Sequence, residues 1–333
     1  MQWDHFQWDA PETPLLLKKR KPINRRTMAS NPTPDNNDIL RALADRIADG
    51  CHTHEVSLGI KQNMESVIRA AILGLETAES DVGTKKLAVS SAYDGVQAAD
   101  EAGKTLLTNC KLRLAQKLGQ RWSASWEPTG FPGQSTAVPN AQDARFTLLK
   151  DLVKYFTDNA ANESVDMGAT AALCQAAWTA LSDARQAVSN AESAQTTAFT
   201  ARAAAADTLR RRVRGLIGEL ETLIPDDDAR YEAFGLNIPA NPSAPETVAT
   251  VTLTALGSGR VGVAWTYAVR STRVGLEAKI VGVDADFVSK GSFKDLETIL
   301  KGFAAGQTVQ VRATAKNDGG DAAPSPVASV LVT

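Results

Sequence analysis

The chain has 333 residues, 43% of them hydrophobic and 22% charged, and a formal net charge of −2 at pH 7. This length allows two or three domains, each with its own core. The near-zero charge gives no overall attraction to nucleic acid or to an anionic membrane, and no apolar run reaches the roughly 20 residues that span a bilayer. No classical signal peptide is predicted, because the apolar run Leu15–Leu17 is short and basic residues follow it. The compartment is left open, and surface or extracellular association is one alternative.

Residues 1–34 are predicted to form a disordered N-terminal extension. Prolines at positions 11, 14, 22, 32 and 34 oppose regular structure. The segment combines the aromatic residues Trp3, Phe6 and Trp8 with basic clusters at 18–21 and 25–26. Such clusters would suit phosphate contacts or an import signal. The alternative is an extension translated ahead of a start at Met28.

Residues 35–236 are predicted to form a long-helix bundle, because apolar residues recur there every three or four positions. The first helix is expected to begin at residues 35–38 and to continue to Leu75, with Gly50 and Gly59 bending it rather than ending it. A second helix is predicted from about Val82 to Leu118.

A third long helix is predicted over about residues 164–224, where large and small apolar residues repeat every seven positions. The large residues are Leu181, Val188, Leu209, Leu216 and Leu223, and the small ones are Ala184, Ala191, Ala198 and Ala205. A seam of small residues lets helices approach closely. Such a helix is not stable alone, so we expect antiparallel partners within the chain or in another chain.

Residues 121–140 are predicted to form an aromatic loop between the second and third helices. The loop contains Trp122, Trp126 and Phe131 among glycines and prolines. Exposed aromatic residues would form a partner-binding tip, because such side chains dominate interface energetics. The alternative is that the rings plug the end of the bundle.

After a Pro-rich hinge at 237–245, the apolar period changes from 3.6 to 2, which is typical of strands. The alternating segments are Val248–Ala255, Val261–Trp265, Leu300–Phe303, Gly306–Gly320 and Val327–Val332. Together they resemble a fibronectin type III domain, with Trp265 as the core tryptophan of strand B. The resemblance implies a β-sandwich over 246–333 that acts as a spacer or recognition domain. Val309 stands where the family usually has the tyrosine of the tyrosine corner, which implies a less rigid sandwich.

Few residues of the chain suit catalysis or metal binding. Cys51 and His54 are the nearest approach to a metal site, but a structural zinc ion normally needs four ligands. We therefore predict no metal, no cofactor and no catalytic residue. The three cysteines, Cys51, Cys110 and Cys174, are expected to be reduced core thiols. An anion-binding site is considered at Arg210, Arg211, Arg212 and Arg214, with a salt-bridged helix surface as the alternative.

The predicted fold class is therefore multidomain, all-α plus all-β: an elongated antiparallel helical bundle followed by a fibronectin type III-like β-sandwich. We expect a non-enzymatic structural or protein-interaction protein, in which a helical stalk or assembly module carries a sandwich head. Self-association or a protein partner is the expected interaction. One alternative is a carbohydrate- or cell-surface-binding protein that uses the aromatic loop, and another is a nucleic-acid-associated protein that uses the basic clusters.

Overall fold

The structure is a computed structural model that describes residues 31–333. The predicted N-terminal extension, with its aromatic and basic clusters, lies outside the described residues except for residues 31–34. The chain divides into a helical unit, Thr33–Leu223, and a second unit that contains Ile224–Thr333 together with Asn31 and Pro32. The predicted fold class is confirmed, since helices are followed by an antiparallel β-sandwich. The helical unit ends at Leu223, whereas the sequence predicted a bundle reaching 236.

The helical unit contains four α-helices. They are α1 (Asn37–Leu58), α2 (Glu65–Leu118), α3 (Gln142–Asp158) and α4 (Ala171–Leu223), with short 3-10 helices at Ala124–Thr129 and Ala160–Asn162. Helices α2 and α4 pack along their lengths and are antiparallel. Contacts at both ends show this direction, because Asn63 beside α2 reaches Glu219 and Cys110 reaches Cys174. The two long helices therefore form a hairpin with α3 in its connection.

The predicted first helix is wrong in its C-terminal boundary. Gly59 adopts a left-handed conformation, with φ of 75°, and its N–H donates to Glu55 O, so α1 ends at Leu58. The next helix begins at Glu65 instead of Val82. The last helix begins at Ala171 rather than at 164, because Ser164 and Ala169 pair as a β-bridge. Glycine favours the left-handed region because it has no Cβ.

Two separate helical cores lie at opposite ends of the hairpin. Helix α1 contacts α2 and α4 at one end, and α3 contacts them at the other. The core at the α3 end consists of Leu107, Cys110, Leu114, Trp126, Phe131, Leu148, Leu149, Leu152, Tyr155, Phe156, Ala169 and Cys174. Each end is therefore a three-helix arrangement built on the same pair of long helices.

The C-terminal sandwich has eight strands. They are β1 (Val251–Gly257), β2 (Arg260–Trp265), β3 (Arg273–Ile280), β4 (Val288–Phe293), β5 (Glu297–Lys301), β6 (Thr308–Asn317), β7 (Gly320–Asp321) and β8 (Ala328–Leu331). One sheet has the order β1-β2-β5; the other has the order β4-β3-β6-β7, with β8 also paired to β6. All pairs are antiparallel. Inward-facing residues, including Trp265 and Val309, form one apolar core, and the region resembles a fibronectin type III domain, as predicted.

The segment predicted as a hinge is hydrogen-bonded to the sandwich. Asn317, at the end of β6, places Nδ2 2.9 Å from Ser243 O, 2.9 Å from Arg270 O and 3.1 Å from Asn237 Oδ1. Its Oδ1 accepts from Gly319 N at 2.8 Å, which fixes the turn between β6 and β7. One side chain thus orders the turn and the segment that leads into the sandwich.

Candidate functional site

The predicted aromatic binding tip is a plug in the structure. Trp126 is 0% exposed and donates from Nε1 to Gly119 O at 3.0 Å, which satisfies a carbonyl at the end of α2. Phe131 is 5% exposed and meets Trp126 edge to face, with ring centroids 5.4 Å apart. Trp122 is half-buried against the same core. Burial of Trp126 and Phe131 therefore favours the alternative in which these two rings plug the end of the bundle, whereas Trp122 keeps part of its surface exposed.

The predicted arginine cluster is divided between two roles. Arg210 donates to Asp35 O at 2.5 Å and to Asn37 Oδ1 at 2.9 Å, so it holds the start of α1. Arg211, Arg212 and Arg214 are exposed. Arg211 and Arg212 line a shallow groove of about 310 Å³ together with Thr208. The structure therefore does not assemble all four arginines into one anion site.

Cys51 and the two neighbouring histidines do not converge on a metal position. Cys51 is buried, its Sγ lies 3.5 Å from Asn63 O, and burial raises the pKa of its thiol to about 12. His52 instead lies 2.8 Å from Glu65. Among residues 31–333, no group of three or more His, Cys, Asp or Glu side chains is placed to hold a metal ion. None of the helices in this range is long and apolar enough to cross a membrane.

The feature that stands out is the middle of the α2–α4 hairpin. We call residues 83–99 of α2 and 186–202 of α4 the central segment. No α2 residue is buried between Val82 and Asp100, and only Ala198 is buried between Leu181 and Ala206 of α4. Two helices that face mainly small residues bury little apolar area, so this stretch of the hairpin has almost no core of its own.

One surface of the central segment carries four side chains that form two contacts between the helices. We call Lys86, Tyr93, Glu192 and Phe199 the central face. Each helix contributes two residues seven positions apart, which places them on one side of that helix. The Tyr93 hydroxyl donates to Glu192 Oε1 at 2.6 Å, and Lys86 Nζ lies 5.7 Å from the centroid of the Phe199 ring. The hydrogen bond to Glu192 raises the pKa of Tyr93.

The same surface of the hairpin is covered at both of its ends, by α1 at one end and by α3 at the other. Seven residues before Lys86, Glu79 binds Arg41 of α1 at 2.8 Å. Seven residues after Tyr93, Asp100 binds Arg145 of α3.

On α4, Arg185 lies seven residues before Glu192, and its guanidinium stacks over the Phe146 ring of α3 at 4.7 Å. Between α1 and α3, no helix of the described chain covers the central face. Tyr93 is 53% exposed there, and Phe199 is 36% exposed.

The central segment carries few charges. The acidic residues lie toward one end of the central face and the basic residues lie at the other end. Residues 87–99 contain one charged side chain, Asp94, and residues 186–201 contain one, Glu192. At the other end of the central face, Lys86 and Arg202 both lie against the Phe199 ring. Depletion of charge is typical of the buried centre of an interface. This depletion is visible in the sequence, but its position between two covered ends is known only from the fold.

No protein-family model and no curated protein matches the sequence. Comparison with solved structures gives 236 matching chains. The FN5 domain of Drosophila Lar has 19% identity and a TM-score of 0.24, with 27% of this chain and 97% of that chain covered. The sixth fibronectin type III domain of human fibronectin type III domain containing protein 3 has 20% identity and a TM-score of 0.25, with 27% and 87% covered.

A match to titin kinase and its flanking domains has 15% identity and a TM-score of 0.26, and it covers 27% of this chain. It spans only 18% of the titin chain. These neighbours concern about a quarter of the protein. The strand order and the inward-facing apolar core of the sandwich resemble a fibronectin type III domain without reference to these neighbours.

Proposed function

We propose that this protein is a non-enzymatic structural or interaction protein, in which the helical unit self-associates and the β-sandwich is a spacer or a partner-facing domain. The observation that carries the proposal is the central face. It lies on a helical surface that α1 covers at one end and α3 covers at the other, with no third helix between them. A second copy of the same chain would supply the missing layer.

The dimensions of the central segment suit such a dimer. Seventeen residues of helix span about 25 Å, and two adjacent helices are roughly 20 Å wide. Two such faces packed together would bury on the order of 1,000 Å² in total, which is the lower end for a specific interface. The product would be a local four-helix bundle, in which alanine, serine and threonine allow close packing and Tyr93 and Phe199 supply the apolar area.

The charges favour one orientation of the second copy. If the two hairpins pack with their α2 helices reversed relative to each other, the end with Lys86 and Arg202 meets the end with Asp94 and Glu192 of the other copy. If they pack in the same direction, like charges meet. Like charges brought together across an interface disfavour association. The proposed assembly is therefore a two-fold dimer, the commonest symmetry of homo-oligomers.

The test is the molar mass of the full chain by sedimentation or light scattering across a concentration series. The unsubstituted protein should approach twice the monomer mass as concentration rises. Phe199→Glu should remain monomeric, because it would place a charge in the interface centre. Leu73→Glu is the matched control, since Leu73 is likewise an exposed apolar residue but lies on α2 outside the central segment, and this variant should dimerise normally. A helical circular dichroism spectrum shows that each variant is folded.

Charge exchange tests the orientation. Glu192→Lys alone and Arg202→Glu alone should each weaken the dimer about tenfold or more, because each places like charges opposite one another. The double variant with both substitutions restores opposite charges and should recover most of the affinity. Failure of the double variant to recover would exclude the reversed orientation.

The central face could be covered by residues 1–30 instead of by a second copy of the chain. Deletion of residues 1–30 distinguishes these two occupants. A truncated chain that still dimerises supports the second copy. A full chain that stays monomeric and a truncated chain that dimerises would show instead that residues 1–30 cover the face. The carbohydrate-binding hypothesis is weakened, because two of its three aromatic residues, Trp126 and Phe131, are buried. The nucleic-acid hypothesis is weakened by the role of Arg210 at the start of α1.

A further inference from the structure

Two cysteines that lie 64 positions apart in the sequence meet in the core of the helical unit. Cys110 of α2 and Cys174 of α4 place their Sγ atoms 3.6 Å apart, and both residues are 0% exposed. The third cysteine, Cys51, is in α1 and contacts Asn63 O instead. We propose that Cys110 and Cys174 form a disulfide that staples α2 to α4 under oxidising conditions, and that Cys51 remains a free thiol.

The geometry needs only a small adjustment. A disulfide has its sulfurs about 2.05 Å apart, so the two Sγ atoms must approach by about 1.5 Å. Rotation of two neighbouring side chains and a small helix shift cover this distance. Helices α2 and α4 already pack along their length, which holds the two cysteines in register. The cross-link therefore requires no rearrangement of the helices beyond this small shift.

The surroundings of the pair are also compatible with the oxidised form. The cluster around the thiols consists of Leu107, Leu114, Trp126, Leu148, Leu149, Leu152, Phe156 and Ala169. The two thiols share one weak S–H···S contact in this apolar setting, and either sulfur can be its donor. A disulfide has no donor to satisfy, so it is compatible with a fully apolar pocket.

Burial determines when the bond forms. The hydrogen bond with Cys174 and then burial raise the pKa of the Cys110 thiol, which disfavours the thiolate of Cys110 in the folded protein. The thiolate is the species that attacks a disulfide. We therefore expect oxidation while the chain folds or opens transiently, and slow oxidation of the folded protein.

The reaction requires an oxidant of the low-molecular-weight disulfide class, such as oxidised glutathione. One cysteine thiolate attacks a glutathione disulfide sulfur, which forms a mixed disulfide and releases one glutathione. The second cysteine thiolate then attacks the protein sulfur of the mixed disulfide and releases the other glutathione. Two protein thiols and one glutathione disulfide thus give one protein disulfide and two glutathione thiols, with the two protons transferred to glutathione.

The experiment refolds the full chain from denaturant, once in oxidised and reduced glutathione and once in dithiothreitol. Free thiols are alkylated under denaturing conditions, and the digest is analysed by mass spectrometry without reduction. The oxidised sample should contain a peptide pair linked through Cys110 and Cys174, with Cys51 alkylated. The linked protein should also melt roughly 10 °C higher than the reduced protein, because the bond closes a long loop in the unfolded chain.

Three variants make the test specific. Cys110→Ala and Cys174→Ala should each abolish the linked peptide and the melting difference, whereas Cys51→Ala should retain both. The proposal would be overturned if protein that refolds correctly under the oxidising conditions has all three cysteines alkylated. A disulfide that involves Cys51 would overturn it as well. If oxidative refolding fails, native protein is incubated with oxidised glutathione in sub-denaturing urea. Absence of the Cys110–Cys174 link there would also overturn the proposal.

Discussion

Arg145 of α3 forms a two-pronged ion pair with Asp100 of α2, and both residues are buried. Arg145 Nε donates to Asp100 Oδ1 at 2.8 Å and Nη2 donates to Oδ2. Nη1 donates to the carbonyls of Pro139 and Asn140, so the guanidinium also fixes the chain that enters α3. This ion pair lies where α3 begins to cover the hairpin of α2 and α4.

Asp100→Asn should lower the free energy of unfolding of the helical unit by about 3 kcal/mol, because it leaves the Arg145 charge buried without a counter-charge. Chemical denaturation followed by circular dichroism measures the change. Asp158→Asn is the control, since Asp158 pairs with Lys154 on an exposed face of α3. Its effect should stay below about 1 kcal/mol. Equal losses in the two variants would contradict a structural role for the buried pair.

The same pair predicts a pH dependence. The hydrogen bond with Arg145 holds the pKa of Asp100 below its ordinary value, although burial acts in the opposite direction. A carboxyl group whose folded-state pKa is lowered adds stability above its unfolded pKa, about 3.9, and this stability is lost as the pH falls through the folded value. The stability difference between the protein and Asp100→Asn should therefore be constant near neutral pH and shrink below about pH 4. A difference that grows on acidification would contradict this account.

Glu219 of α4 should control the order of the turn between α1 and α2. Its Oε1 accepts from Lys61 N at 2.8 Å and from Gln62 N at 3.3 Å, and Oε2 accepts from the Asn63 side chain at 3.2 Å. Burial disfavours the carboxylate, but these donors leave the pKa of Glu219 lowered overall. Glu219→Gln should cost about 1.5–3 kcal/mol and speed amide hydrogen exchange at residues 61 and 62. Glu221→Gln, on an exposed position of the same helix, should leave that exchange unchanged.

Asn317 should hold the segment before the sandwich in place. Asn317→Ala removes the contacts with Asn237, Ser243 and the Arg270 carbonyl. Hydrogen exchange and proteolytic cleavage between residues 237 and 246 should increase at least severalfold, while the sandwich core remains protected. Asp318→Ala changes the adjacent, exposed residue and should have no such effect. Unchanged cleavage in Asn317→Ala would show that other contacts order this segment.

The sequence predicts the two-part fold because its apolar period changes from 3.6 to 2, and periodicity depends on local geometry alone. The periodicity does not reveal the end of α1 at Gly59, and the reason is physical. Helices α1 and α2 both bury residues against α4, so the apolar stripe continues through the turn, and only the left-handed conformation at Gly59 separates them.

The candidate site is less accessible to sequence reasoning. Trp126 and Phe131 have the composition of a binding tip, and only the packing around them distinguishes a plug from an exposed loop. The seven-residue spacings of Lys86 with Tyr93 and of Glu192 with Phe199 are present in the sequence. Their significance depends on where α1 and α3 end, which no local pattern specifies. The meeting of Cys110 and Cys174 likewise depends on the register of the hairpin.

Cross-linking at the centre of the central face tests the proposed dimer most directly. Ser90 lies between Lys86 and Tyr93 on the same side of α2, so a reversed two-fold dimer brings the two copies of Ser90 together. Ser91 is exposed as well, but it points about 100° away around the helix. Under mild oxidation, Ser90→Cys should give a disulfide-linked dimer on a non-reducing gel, and Ser91→Cys should remain monomeric. Equal cross-linking of the two variants, or none in Ser90→Cys at concentrations well above cellular levels, would contradict self-association through this face.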